Sequence, residues 1–146
     1  MNLFTIGFAQ KTAAEFFRKI SDNKIDLLID IRLNNKSQLA GFTKGEDLEY
    51  FLKTICNCDY QHLLEFAPTK EILDDYRNKK ISWIGYEDRF LPLIESRKCV
   101  IGFNERFKNY NNICLLCSEP KANLCHRRLV AEAIAKYNEG VVIKHI

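Results

Sequence analysis

The stretch "IDLLIDIR", Ile25 to Arg32, decides how this sequence folds. Side chains alternate along a strand, and here Ile25, Leu27 and Ile29 would occupy one face while Leu28 occupies the other, so both faces are apolar until the run ends. A strand of that kind belongs in a sheet covered on both sides. "NLFTIGF", Asn2 to Phe8, is a second such run and ends in Gly7. Between the two, Thr12 with Glu15 three positions on is spaced as a helix-opening capping box, and Phe16, Phe17 and Ile20 supply the apolar stripe of the helix that follows. Strand, helix and strand make a βαβ unit.

The same alternation continues toward the C-terminus. "EDLEYFLKTIC", Glu46 to Cys56, reads as a helix with Leu48, Phe51, Leu52 and Ile55 on one face. "CDYQHLLEF", Cys58 to Phe66, reads as a short strand leading into a loop, and Thr69 opens a helix over "KEILDDYR". Gly85 to about Tyr110 reads as one or two helices, although "KCVIGF", Lys98 to Phe103, has the composition of a strand. "NICLLC", Asn112 to Cys117, and "GVVIKHI", Gly140 to Ile146, are the last strands, with a helix from about Leu124 to Tyr137 between them. The expectation is an α/β single-domain sandwich over residues 1–146, with a largely parallel sheet of about five strands flanked by helices.

Composition limits the function classes. The chain has 146 residues, 47% hydrophobic and 28% charged, which suits one soluble globular domain. It contains no apolar run of membrane-spanning length and no signal-peptide pattern, so the expected setting is cytoplasmic with no membrane partner. Six cysteines beside an ample core are expected as thiols rather than as a disulfide scaffold. Residues 1–96 hold 13 Lys/Arg against 15 Asp/Glu, whereas residues 97–146 hold 9 against 4. A net charge of +5 in the C-terminal third suits an anionic small molecule or nucleic acid as partner. No cofactor is indicated, and Gly-x-Gly-x-x-Gly, the phosphate-binding P-loop and Gly-x-Ser-x-Gly are all missing.

In open parallel sheets ligands bind beyond the carboxyl ends of the strands. Gly7 ends the first strand, Asp30 and Arg32 end the second, and Cys117 ends the fourth with Ser118 and Glu119 following. Asp30 and Arg32 are two apart and share a face, which makes them either a structural ion pair or an anion clamp with its orienting carboxylate. On the following helix the stripe of Leu129, Val130, Ala133, Ile134 and Tyr137 puts Cys125 and His126 on the inward side. Arg128 falls with Glu132 and Lys136 on the polar face, and Arg127 lies at the border, within reach of the strand edge. His62 follows Tyr60 by two and is either a hydrogen-bonded core residue or part of the site; His145 reads as structural.

Three chemistries compete for "CLLCSEPKANLCHRR", Cys114 to Arg128. Cys114, Cys117, Cys125 and His126 are the right types for zinc, but Cys114 and Cys117 would face opposite sides of a strand and Cys125 and His126 diverge by a helical step. Alternatively a thiol at a helix N-terminus beside His and Arg is held as the reactive thiolate, and either Cys117 or Cys125 qualifies. Lastly, free cysteines serve as small apolar fillers, the reading preferred for Cys56, Cys58, Cys99 and Cys114. Metal is the least favoured of the three.

At this point the chain resembles a known family, domain of unknown function 488 (DUF488). The resemblance rests on "TIGF" (Thr5 to Phe8), "IDIR" (Ile29 to Arg32) with Ser37, Gly41–Phe42, "YQHL" (Tyr60 to Leu63), "APTKEIL" (Ala67 to Leu73), Trp83 and Tyr86, "LLCSEP" (Leu115 to Pro120), "CHR" (Cys125 to Arg127) and the terminal "KHI". It implies a small α/β domain and a common site lined by Asp30, Arg32, Cys117, Glu119, Cys125, His126 and Arg127; it implies no reaction. The chain departs from the family pattern at Asn35, where a proline is usual, and at Gln38, where a basic residue is usual. The first functional expectation is therefore an enzyme on an anionic, nucleotide-related or nucleic-acid-related substrate. In it Cys117 or Cys125 is the thiolate, His126 or Glu119 the acid or base, and Arg32 and Arg127 the anion ligands, with Asp30, Ser37, Gly7 and His62 completing the binding surface. The alternatives are a ligand-binding or sensing module with the same pocket, and a structural zinc protein.

Overall fold

A computed structural model describes residues 1–37 and 40–146, so Gln38 lies outside the described residues. Five parallel strands form one sheet: β1 (Asn2–Gly7), β2 (Leu27–Asp30), β3 (Asp59–His62), β4 (Asn112–Cys117) and β5 (Val142–His145), in the order β3-β2-β4-β1-β5. The helices are α1 (Ala13–Asp22), α2 (Gly45–Phe51), α3 (Lys70–Arg77), α4 (Trp83–Arg97), α5 (Phe103–Arg106) and α6 (His126–Tyr137). The chain is thus the α/β sandwich expected, with a sheet that is parallel throughout.

Strand alternation builds the two cores. Leu3, Leu27, Ile29, Ile113 and Leu115 pack with residues of α3, α4, α5 and α6, among them Ile72, Phe90, Phe103 and Ile134. Phe4, Ile6, Leu28, Cys114 and Leu116 pack on the other face with Phe16, Phe17 and Ile20 of α1, Leu48 of α2 and Leu52. Both layers are dry, as the two-sided pattern of β2 demands. Cys114 therefore points away from Cys117, which follows Leu115 by two.

The local signals behave as their chemistry requires. Thr12 and Glu15 form the reciprocal capping box, with Glu15 N–H on Thr12 Oγ1 at 3.1 Å and Thr12 N–H on Glu15 Oε2 at 2.8 Å. Thr69 caps α3 through Ile72 N–H at 3.2 Å. "KCVIGF" forms no strand, because Lys98 and Gly102 both take left-handed backbone conformations, φ 54° and 70°, that end α4 and open α5. The expected helix over Glu46 to Cys56 is α2 followed by a π-helical turn, Leu52–Cys56, which closes at Asn57 with φ 49°. No helix among the described residues is long and apolar enough to cross a membrane.

The strand order places the site. β4 lies between β1 and β2, in register Gly7 to Cys117 and Asp30 to Leu116. The carboxyl ends of three strands that are remote in sequence thereby meet at one edge, where the crossovers leave in different directions.

Candidate functional site

Asp30 and Arg32 form one half of that edge. Arg32 Nε donates to Asp30 Oδ1 at 2.8 Å and Nη2 to Oδ2 at 2.6 Å, a planar fork closed on both carboxylate oxygens. Asp30 also accepts the Arg32 backbone N–H at 3.1 Å and the Tyr60 hydroxyl at 2.8 Å. Arg32 goes on to donate to Thr43, from Nη2 to the carbonyl at 2.7 Å and from Nη1 to the hydroxyl at 3.4 Å. Among the described residues, four of the five guanidinium N–H groups are then engaged by protein. Both residues are buried. Burial works against the Arg32 charge, but Asp30 outweighs it and raises the guanidinium pKa further. Burial and then Asp30 likewise push the Tyr60 phenol up, keeping it a donor. His62 donates from Nε2 to the Arg32 carbonyl at 2.7 Å and so fixes the chain as it leaves β2.

The thiol cluster forms the other half. Cys117 closes β4 and Cys125 caps α6, with a φ of −141° and no capping hydrogen bond from its side chain. That leaves its sulfur to the interior. His126, the first residue of α6, donates from Nε2 to the Ile31 carbonyl at 2.9 Å, so Nδ1 is the atom that faces Cys117 Sγ, at 3.4 Å. Sulfur and Nδ1 therefore stand at hydrogen-bonding distance. Cys117 Sγ, Cys125 Sγ and His126 lie within 4.8 Å of one another, and all three residues are buried.

The two thiols are unequal. The Cys125 side chain beside it holds the Cys117 thiol below its ordinary pKa; burial opposes this, while the Ser118 and Glu119 backbone N–H groups and the Arg127 charge support it. Cys125 moves the opposite way, raised first by its neighbour Cys117 and then by burial. Burial also pushes up Cys114 and Cys58, the latter to about 12, as befits apolar fillers.

Arg127 is 1% exposed, deeper than its expected border position. Its donors go to the Glu119 carbonyl, the Pro120 carbonyl at 3.3 Å, Thr5 Oγ1 at 3.3 Å and Cys125 Sγ at 3.6 Å. None of these is a carboxylate. A buried cation favours negative charge nearby, and the Arg127 charge is among the groups that lower the Cys117 pKa. Gly7 permits this arrangement: a Cβ there would overlap the Glu119 carbonyl oxygen and come within 2.8 Å of Arg127 Nη1. Gly7→Ala is accordingly expected to displace the 118–120 loop and lower stability by about 1–3 kcal/mol, read by urea denaturation.

The two halves border one cavity of about 380 Å³. Cys117, Cys125, His126 and Arg32 belong to its wall, and so do Ser118 and Glu119. The Glu119 side chain is exposed there. Opposite stand Tyr76, Trp83 and Tyr86 from α3 and α4, the indole stacked on Tyr86 at 5.0 Å and 11°. Lys70 and Arg77 add positive charge: Lys70 pairs with Asp74 at 2.5 Å, while exposed Arg77 has no hydrogen-bonding or ion-pair partner among the described residues. Arg77 carries no mark in the sequence that separates it from an ordinary helix residue, and Trp83, one of the residues of the family resemblance, is not among the expected site residues; the packing of α3 and α4 brings both here. Gly7, His62, Asp30 and Arg127 stand behind the wall as supports, and Ser37, half-buried, lies in the loop beyond Arg32, apart from it.

Chemically the set supports a thiolate with an oriented imidazole, and Cys117, Cys125 and His126 are also the residues that could hold a soft cation. The four-ligand set that includes Cys114 is not assembled, since Cys114 is buried in the opposite core. A family model described as "Domain of unknown function DUF488" matches residues 12–134. No curated protein and no solved structure matches the chain.

Proposed function

The chain belongs to the DUF488 family, and from that premise we propose that it is a thiol-dependent enzyme acting on an anionic, nucleotide-sized substrate. The carrying observation is the Cys117 Sγ to His126 Nδ1 contact of 3.4 Å, with the imidazole locked from behind by the Ile31 carbonyl, at the wall of an open cavity. Cys117 attacks as thiolate, forming a bond to an electrophilic carbon or phosphorus of the substrate. His126 carries the proton to the leaving group, and Glu119 at the same wall serves the return of the thiol by activating water or an acceptor. Backbone N–H groups of Ser118 and Glu119 face the sulfur and stabilise negative charge there.

The anion is anchored by Arg77, which has no hydrogen-bonding or ion-pair partner among the described residues, with Lys70 and Arg32 lining the same cavity. Arg127 serves the thiolate. The apolar part of the substrate lies against Trp83 and Tyr76, and a cavity of about 380 Å³ is in the size range of small-ligand sites.

Iodoacetamide near neutral pH is expected to label Cys117 at least roughly tenfold faster than any of the other five cysteines, mapped by peptide mass spectrometry. Slow and uniform labelling of the folded protein would sink the nucleophile. For the anchor, a panel of nucleoside monophosphates in a thermal-shift assay is expected to stabilise the wild type and to lose that effect in Arg77→Ala. An unchanged shift in the variant would remove Arg77 from the site.

A further inference from the structure

The proposed reaction uses one sulfur, yet two stand in the cluster. Cys125 is buried in the wall of the same cavity, its Sγ within 4.8 Å of both Cys117 Sγ and the His126 ring nitrogen. Arg127 Nη1 holds it at 3.6 Å. The remaining four cysteines are elsewhere: Cys114 and Cys58 lie in the core on the α1 face, Cys56 hydrogen-bonds Ser21 at 3.3 Å, and Cys99 contacts the Glu65 carbonyl at 3.5 Å. The segment between the two sulfurs, residues 118–124, consists of bends and turns. Drawing Sγ to Sγ therefore brings the last residue of β4 and the capping residue of α6 together across a loop.

We propose that Cys125 is the resolving thiol of Cys117, so that a hydroperoxide reaching the cavity switches the enzyme off reversibly through a Cys117–Cys125 disulfide. This rests on the reading of Cys117 as the reactive thiolate and adds its regulation. In the first step the Cys117 sulfur attacks the terminal oxygen of the hydroperoxide. The O–O bond breaks, the alkoxide or hydroxide leaves and takes a proton, and Cys117 becomes a sulfenic acid, oxidised by two electrons. In the second step Cys125 sulfur attacks Cys117 sulfur. The S–S bond forms, the S–OH bond breaks, and the Cys125 proton leaves with the hydroxide as water, His126 Nδ1 being the adjacent carrier. An external dithiol returns two electrons and two protons and restores both thiols. The geometry suits this division: the Cys117 sulfur lies against the His126 imidazole at 3.4 Å, and Cys125 stands in the same cavity wall within reach of it. A thiolate without a resolving partner is instead driven on to the irreversible sulfinic acid.

The test treats purified protein with about one equivalent of hydrogen peroxide, then reads intact mass, dimedone capture and iodoacetamide labelling of Cys117. The wild type is expected to lose about 2 Da, to show a Cys117–Cys125 linked peptide, to resist iodoacetamide at Cys117 and to recover after dithiothreitol. Cys125→Ser and Cys125→Ala, each checked for native circular dichroism and cooperative melting, are expected to take dimedone at Cys117 and, with excess peroxide, to gain about 32 Da that dithiothreitol does not reverse. Dimedone capture at Cys117 in the wild type with no linked peptide would overturn the resolving role and leave the nucleophile standing. A Cys117 that neither alkylates nor oxidises would overturn both. So would stoichiometric zinc in the purified protein, released only on loss of both thiols.

Discussion

Asp30→Ala is expected to destabilise the protein by about 3–5 kcal/mol, enough to leave a domain of ordinary stability partly unfolded. The carboxylate is 0% exposed and accepts from Arg32 Nε, Arg32 Nη2, the Arg32 backbone and the Tyr60 hydroxyl. Truncation strands a guanidinium that is 4% exposed, together with a half-buried phenol. The dominant effect is that uncompensated charge, and the lost Coulomb attraction is secondary, because the attraction is largely offset by desolvation of both ions. Two consequences separate the causes. Asp30→Asn keeps the shape but turns an NH2 toward the Arg32 donors, so it is expected to lose nearly as much as alanine. The double variant Asp30→Leu, Arg32→Met removes both charges and is expected to recover most of the loss in guanidinium chloride denaturation. If the double variant is less stable than Asp30→Ala, the burial argument fails.

The same pair shows what the sequence discloses and what it withholds. That Asp30 and Arg32 share a face follows from strand period alone, and so does the covered sheet implied by the two-sided run before them. The capping box of α1 and the Thr69 cap of α3 are equally local and equally legible, because each needs only residues three apart. Strand order is different in kind. β4 enters between β1 and β2 after more than a hundred residues of chain, and no local pattern encodes which gap a late strand fills. With that insertion come the contacts that place the thiol half of the site: Cys117 beside Gly7, His126 on the Ile31 carbonyl, and Arg127 on Thr5.

Arg127 is the clearest case of a residue placed too far out by its own helix. Helical spacing puts it at the edge of the apolar stripe, where an arginine is ordinarily solvated. What draws it inside is a set of acceptors that only the folded loop presents, the Glu119 and Pro120 carbonyls, together with the missing side chain of Gly7. The cavity's far wall was hidden for the same reason. Tyr76 and Arg77 belong to α3, which packs on α4, and Trp83 to α4, which packs on α6, so their convergence on one cavity with Cys117 has no sequence period to announce it.

Arg127→Met is expected to raise the pH at which Cys117 is half-alkylated and to slow its labelling near neutral pH. The sign follows from the charges. Arg127 lowers the Cys117 pKa, so removing it raises that value, and the thiolate fraction falls at every pH below the ordinary thiol range. Well above that range both proteins hold the sulfur fully ionised, and their rates are expected to converge. Convergence distinguishes a lost charge from a displaced sulfur, which would stay slow at high pH. Stability falls as well, since the two loop carbonyls lose their donor; melting temperature is therefore recorded beside each rate. Arg127→Lys completes the comparison. It keeps the cation but not the fork that spans Glu119, Pro120 and Thr5, so it is expected to restore most of the pH profile without restoring stability. A profile in Arg127→Met that overlays the wild type would mean the buried guanidinium is structural alone, and that the charge on Cys117 is held by its backbone donors and Cys125.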